Sequence, residues 1–416
     1  MTQIRRIGWG VADQGVSSLT NVVGLLLIAR LSAPESFGAV SLAFGVIAVA
    51  LTAGRGMWGE SLLILRSGTA GDEERDLVAT SHRGTLFLGS AGGLVVLGVA
   101  AFTSGALTGP LIVTGVGLPV LLTHDLGRYA LFGRGRQDVA FLSDGVWLLS
   151  SIVLLVVGGQ LGWSSAALLA AWISGAAVGL AVVLWGVRPW NGASSVRRWL
   201  SEERSVWAPL TGDVLGGSGF RALALMVVIA TVGLAEGGGF RAAQVLMGPV
   251  TVLTMATAPL FLSHMGGAPA SRMLRSVAGV TTVLASLAAA WLALVVLAPE
   301  SLWRWALGAV WDEASGALLA VGIFHTAAAA SLGPFLGLRS LRRTASGFRL
   351  RLGSGVLLVA AAAVGGSLGG AVGAGWSLAA VEAATLVAGM LLLRKAQGGD
   401  RTPNHSPTGE ESVRWA

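Results

Sequence analysis

Cysteine is absent from the 416 residues, so no disulfide, iron–sulfur cluster, thiolate nucleophile or zinc ribbon can be built. Lysine is nearly absent too. Of 28 basic residues only Lys395 is Lys, and no Gly-Lys-Ser/Thr phosphate loop exists. Gly clusters such as Gly237-Gly238-Gly239 and Gly369-Gly370 read instead as close helix packing through small residues. The five histidines, His82, His124, His264, His325 and His405, form no His-Glu-x-x-His helix and no pair at ligand spacing. No metal, cofactor or enzymatic activity is expected. Charge is scarce as well: 12% of residues against roughly 25% in soluble domains. With 54% hydrophobic residues, the chain reads as a membrane protein rather than a soluble enzyme.

The net charge of +7 would suit nucleic acid, but the arginines lie in loops and no nucleic-acid partner is expected. The preference for Arg over Lys, with many Ala, Gly and Val, fits a bacterium with GC-rich DNA. A membrane span needs about 20 mostly apolar residues. Twelve such runs occur: 8 to 31, 36 to 56, 84 to 102, 109 to 127, 139 to 159, 164 to 187, 208 to 232, 238 to 262, 277 to 297, 314 to 336, 352 to 372 and 374 to 393. They are too long for strands and lack the alternation of a membrane barrel. The fold class is therefore all-α and polytopic. Arg5-Arg6 before an apolar run imitates a signal peptide, but Asp13 interrupts the run and no small-residue cleavage site follows.

Orientation follows from arginine, because short cytoplasmic loops are enriched in Lys and Arg. The segments on the N-terminal side hold 24 of the 28 basic residues, and the opposite loops hold Arg304 alone. Both termini are expected in the cytoplasm, in a cytoplasmic (inner) membrane. Trp9, Trp163, Trp185, Trp207, Trp303 and Trp376 fall at span edges, where an indole favours the interface.

The halves repeat. Leu131 to Gly159 and Leu336 to Gly366 each run from a basic turn through an apolar helix to Gly-Gly. Asp13 and Asp213, then Glu35 and Glu236, recur at offsets of 200 and 201. We expect two pseudo-symmetric six-helix lobes, 1–187 and 208–394, related by an axis along the membrane normal. An Arg-rich cytoplasmic linker, 188–207, joins them, and a disordered polar tail, 395–416, follows.

Ionisable groups inside spans are costly and point to function. Asp125 and Arg128, at i, i+3, read as a local ion pair. Asp144 near a helix start reads as dipole-stabilised, and Arg30 and Arg241 as able to snorkel from helix ends. Arg221 lies about 18 Å into its span, with no acid within four residues. Glu382 is the deepest acid, and His325 lies mid-helix as a structural or proton-relay residue. Asp13, Ser17 and Asn21 share one face of the first span. Asp213, Gly217 and Arg221 repeat that spacing in the seventh, and both stripes are expected to face the space between the lobes. Asp13 and Asp213 could equally cap helices. Arg55, in a Gly-flanked break (Gly54, Gly56), could supply a second cation, with Glu60 as its resting partner.

Ile28-Ala29-Arg30-Leu31-Ser32-Ala33-Pro34-Glu35-Ser36-Phe37-Gly38 resembles the ARLLSPEEFG hallmark of polysaccharide-export flippases in the multidrug/oligosaccharidyl-lipid/polysaccharide (MOP) transporter superfamily. Gly239-Phe240-Arg241-Ala242-Ala243-Gln244-Val245-Leu246-Met247-Gly248-Pro249 is similar to the matching segment of their eighth helix. The resemblance implies alternating access by two rocking lobes around a cavity lined by the first, second, seventh and eighth helices. It also implies a lipid-linked saccharide as cargo, with a polysaccharide polymerase or glycosyltransferases as partners. Many such flippases have fourteen helices rather than twelve. Asn21 and Gly24 stand where the lipid II branch carries additional arginines.

The expected substrate-binding set is Arg221, Arg55, Arg241, Asn21, Ser17, Asp13, Asp213 and Gly217, and the coupling set Glu60, Glu382 and His325. An antiporter of the same fold would need an acidic cavity, and a non-transporting scaffold would need neither. An alkaline phosphatase fused at residue 105 should be active and one fused at 198 inactive; the reverse pair contradicts the orientation.

Overall fold

The computed structural model describes residues 3–66, 71–189, 195–265, 270–341 and 343–399. The tail from 400 onward, with Arg401, His405 and Arg414, lies outside the described residues, as does Arg342. Among the described residues there is no strand, and ten helices are long and apolar enough to cross a membrane. The tenth, Thr344–Ala396, is two helices. Its backbone leaves the helical region at Gly369 (φ −145°) and Gly370 (φ +59°), and the positive φ is one that Gly adopts without a Cβ penalty. The return therefore falls at Gly369-Gly370 rather than at the expected 373. One further crossing is broken at Met247 into arms of 13 and 18 residues. Gly248-Pro249 explains the break, since proline cannot donate to the preceding turn.

Twelve helical crossings result among the described residues. In chain order they are α1 (Gln3–Arg30), α2 (Pro34–Gly54, continued to Leu65), α3 (Asp72–Ala100), α4 (Thr108–Gly133), α5 (Gln137–Gln160), α6 (Ser165–Val187) and α7 (Arg204–Val214, continued to Val232). They continue with α8 (Leu234–Leu246 and Gly248–Met265), α9 (Ala270–Leu297), α10 (Val310–Ser340), and α11 and α12 on either side of Gly369-Gly370. Several exceed the apolar runs, because polar residues such as Asp72, Glu73 and Glu74 extend helix beyond the hydrophobic stretch. Two short helices, Val196–Glu202 and Glu300–Leu307, were not legible as spans.

Within the first half α1 packs on α5, α3 on α4, and α4 and α5 on α6; within the second, α10 packs on α8, α9 and α12, and α7 on α11. The halves meet chiefly along α2, which packs against both α7 and α8. Glycine makes this approach possible. A Cβ on Gly38 would run into the Leu234 carbonyl, one on Gly238 would stand 2.8 Å from Pro34 O, and one on Gly56 would strike Thr211 Cα. The linker is pinned to the first half: Trp199 stacks on Trp58 with ring centroids 4.2 Å apart.

Candidate functional site

The seam separates two ends of different character. One end carries Glu35, Glu236, Asp312 and Glu313 around a cavity of about 610 Å³. Glu35 and Glu236 sit in the first turns of α2 and α8, so the repeated acids occupy equivalent places, and Glu236 Oε1 also accepts from Ala371 N at 2.7 Å. The other end is rich in arginine. Here two turns widen into π-helix, Arg55–Glu60 in α2 and Leu215–Gly219 in α7, a feature that concentrates at functional sites.

The π turn in α7 decides where its charges point. Eight residues of regular helix separate Asp213 from Arg221 by about 80° of rotation, and one residue absorbed by the wider turn brings them to within about 20°. Both side chains consequently face the second half. Asp213 lies 2.5 Å from Arg339 Nη2 of α10 and 3.4 Å from Arg351 Nη1 of α11. Arg221 Nη2 donates to Glu382 Oε1 of α12 at 2.7 Å, and Ser331 Oγ donates to Glu382 Oε2 at 2.9 Å. Arg221 keeps 49% of its side chain exposed, whereas Glu382 is buried. Gly217 lies under the Arg351 side chain, whose Cδ would be 3.5 Å from a Cβ there.

The first half answers with a buried counterpart. Arg128 of α4 reaches Asp13 of α1 at 2.5 Å, Asp144 of α5 at 3.1 Å and Asp125 at 3.7 Å. Asp13 and Asp144 have no exposed side-chain surface. Arg55 grips Asp125 with two bonds of 2.8 Å. His124 Nε2 lies 2.8 Å from Ser143 Oγ, which itself donates to Gly179 O at 2.9 Å; Nε2 therefore carries the hydrogen.

Several expectations are corrected by this geometry. The stripes do not face one another: Asp13 and Asp213 each turn into their own half, because a carboxylate in hydrocarbon is stabilised by the nearest guanidinium. Arg55 rests on Asp125, not on Glu60. Asp144 is held by Arg128 rather than by its helix dipole, and the local Asp125–Arg128 contact is the longest of the set. Asn21 is exposed, and its Nδ2 donates to Ser17 O at 3.0 Å. Arg241 does not snorkel out; it bonds Gln244 Oε1 at 3.1 Å, and its Nε is buried without a hydrogen-bond partner. His325 donates Nδ1–H to Val321 O at 2.9 Å and lies within electrostatic reach of Arg221, Arg241 and Glu382. Arg30, at the acidic end, stands over the Trp305 ring, 4.5 Å from its centroid.

Asp13 with Arg128 and Asp144 in one half, and Asp213 with Arg339 and Arg351 in the other, occupy corresponding helices with the charge of the last member inverted. Three carboxylates face two guanidiniums in the first group once Asp125 and Arg55 are included. In the second, Asp213 and Glu382 face Arg221, Arg339 and Arg351. Arg339 and Arg351 had counted only toward orientation; the recurrence of Asp13 as Asp213 was the signal that a partner set should recur with it.

No family model and no curated protein sequence matches the chain significantly. Solved structures do. A multidrug-resistance MATE family transporter of the MOP superfamily, in an inward-facing conformation, superposes with a TM-score of 0.77 at 18% identity, covering 95% of this chain and all of that one. The chain has the fold of the MOP transporter superfamily. The lipid II flippase MurJ, inward closed, gives 0.77 at 10% identity over 94% of this chain and 87% of its own. A MOP superfamily transporter from Pyrococcus furiosus, described as having a binding pocket of reversed polarity, gives 0.64 at 18% identity over 95% of both chains. These MOP-fold neighbours are transporters and a flippase rather than enzymes.

Removing one member of a buried charge group costs about 3–5 kcal/mol, because the partners stay buried. Arg128→Ala should therefore abolish or sharply lower the thermal unfolding midpoint in detergent, while Asp144→Asn, which removes the surplus carboxylate, should be tolerated. Equal midpoints for Arg128→Ala and wild type would contradict the network.

Proposed function

We propose that this MOP-fold membrane transporter flips a lipid-linked saccharide of the polyprenyl-pyrophosphate type across a bacterial cytoplasmic membrane for polysaccharide biosynthesis, by alternating access of two lobes, 1–187 and 208–394. The observation that carries the reading is Arg221: mid-span, half exposed, and one of three guanidiniums held by only two carboxylates in its half. A pyrophosphate needs cations, and the planar fork of arginine suits its oxygens. The arginine-rich end belongs to the cytoplasmic side by the loop bias, so the cargo meets positive charge where it would be loaded. The acidic cavity at the opposite end disfavours its return. Similarity to the MurJ fold agrees with a lipid-borne cargo, and glycosyltransferases or a polymerase would be the partners that supply and consume it.

One observation favours a second reading, a cation-coupled antiporter. In the first half Asp13 Oδ1 is buried without a hydrogen-bond partner, and the carboxylates of the group outnumber its guanidiniums. Such a group would take up a proton or sodium ion, and the MATE fold is matched as well as the flippase. The readings separate on Arg221. Arg221→Ala should abolish glycan export at normal abundance, and Arg221→Lys should rescue it if charge outweighs bidentate geometry. Full export by the alanine variant at normal expression would refute the anionic-cargo reading.

A further inference from the structure

Two guanidiniums share one carboxylate where Asp213 meets Arg339 and Arg351. Asp213 is 34% exposed, Arg339 41% and Arg351 21%, so the group is open to solvent or headgroup rather than sealed like its counterpart around Arg128. Its geometry is fixed from three sides. The Arg351 guanidinium stands 4.9 Å from the Phe335 ring centroid, a contact that orients it without neutralising it. Its side chain lies along Gly216 and Gly217, where an added Cβ would touch Cγ and Cδ at 3.5–3.9 Å, ordinary contact distance. The π turn at Leu215–Gly219 directs Asp213 toward the pair.

Across the seam stands Glu60, at the end of the π segment of α2. It is half-buried and within electrostatic reach of Asp213, Arg339, Arg55 and Arg351, yet it makes no close ion pair with any of them among the described residues. Arg55 is already committed to Asp125. Among the described residues that act on Glu60, the cationic charge left for it to balance is the surplus of the Arg339–Arg351 pair. A carboxylate on one half thus offsets a cationic pocket on the other, at the place where Gly56 and Thr211 bring the two backbones into contact.

We infer that Arg339 and Arg351, oriented by Asp213, form an oxyanion-docking site for a phosphate group at the arginine-rich mouth of the seam, and that Glu60 is the built-in anion which phosphate replaces. The site is separate from the Arg221–Glu382 pair deeper in the span, and as a step in loading it rests on the anionic-cargo reading. Replacement of Glu60 removes the electrostatic attraction that holds the α2 end toward Arg339 of α10 and Arg351 of α11. Arrival of cargo phosphate then loosens the seam at that end, which ties occupancy to opening. A phosphate monoester on a lipid and free inorganic phosphate present the same oxygens, and they differ in whether a tail must be accommodated.

The full chain, reconstituted in phosphatidylcholine nanodiscs, can be titrated with ³²P-labelled dodecyl phosphate and ³²P-labelled inorganic phosphate. Glu60→Gln should tighten binding about tenfold, the scale of one charge-assisted contact, and Arg339→Gln with Arg351→Gln should weaken it by at least that factor. Tightening by Glu60→Gln cannot arise from misfolding. A response confined to dodecyl phosphate assigns the site to a lipid headgroup, and an equal response of both probes assigns it to free phosphate; either supports the oxyanion site. Binding of both probes unchanged by all three substitutions overturns it. Glycan export that still depends on Arg221 while phosphate binding ignores Glu60, Arg339 and Arg351 would remove the docking site and leave the transport reading standing. The opposite pattern would keep the site and remove that reading.

Discussion

A guanidinium or carboxylate inside hydrocarbon has no water to turn to, so its partner must come from a neighbouring helix. Much of this molecule is arranged around that requirement. Arg128 gathers Asp13, Asp144 and Asp125 from α1, α5 and its own helix, and Glu382 gathers Arg221 and Ser331 from α7 and α10. Each group ties together helices of one half and reaches little into the other. The halves are thereby internally braced, while the surface between them is left to glycine contacts along α2, which separate without exposing an unpaired buried charge.

The equivalence of the halves makes their difference informative. Asp13 and Asp213 hold matching positions, but the helix that supplies Asp144 in one half supplies Arg351 in the other. The first group is sealed and carries a carboxylate surplus; the second is open and carries a guanidinium surplus. A sealed acidic group suits a small cation and an open basic group suits an anionic headgroup. The two readings of the function thus fall in different halves of one molecule, and a cation-driven anion exporter would use both.

The crossings were legible because each needs an unbroken apolar run, and the arginine bias marked their ends. What escaped was set by contacts distant in sequence. Asp125 lies three residues from Arg128, so local spacing suggested a pair, yet Asp13 and Asp144 are the nearer partners from helices that no periodicity connects to α4. Arg55 likewise sits five residues from Glu60 but meets Asp125, 70 residues away. The glycines flanking Arg55 did signal an irregular turn, and the structure makes it π-helix. Nothing comparable announced the π turn in α7 beyond Gly216-Gly217, and without it Asp213 and Arg221 point in different directions. The break in α8 was written in Gly248-Pro249, and the final return in Gly369-Gly370, four residues before the expected place.

That the halves move as braced bodies about the α2 seam can be tested with spin labels, since a chain without cysteine accepts them only where they are introduced. One pair spans the arginine-rich end, at Arg136 and Arg349, both exposed. Another spans the acidic end, at Leu161 and Leu368, which are 66% and 84% exposed. Pulsed electron–electron distances in nanodiscs should show two populations for each pair, one lengthening as the other shortens when conditions shift the balance. A single, unchanging distance at both ends under every condition would contradict alternating access.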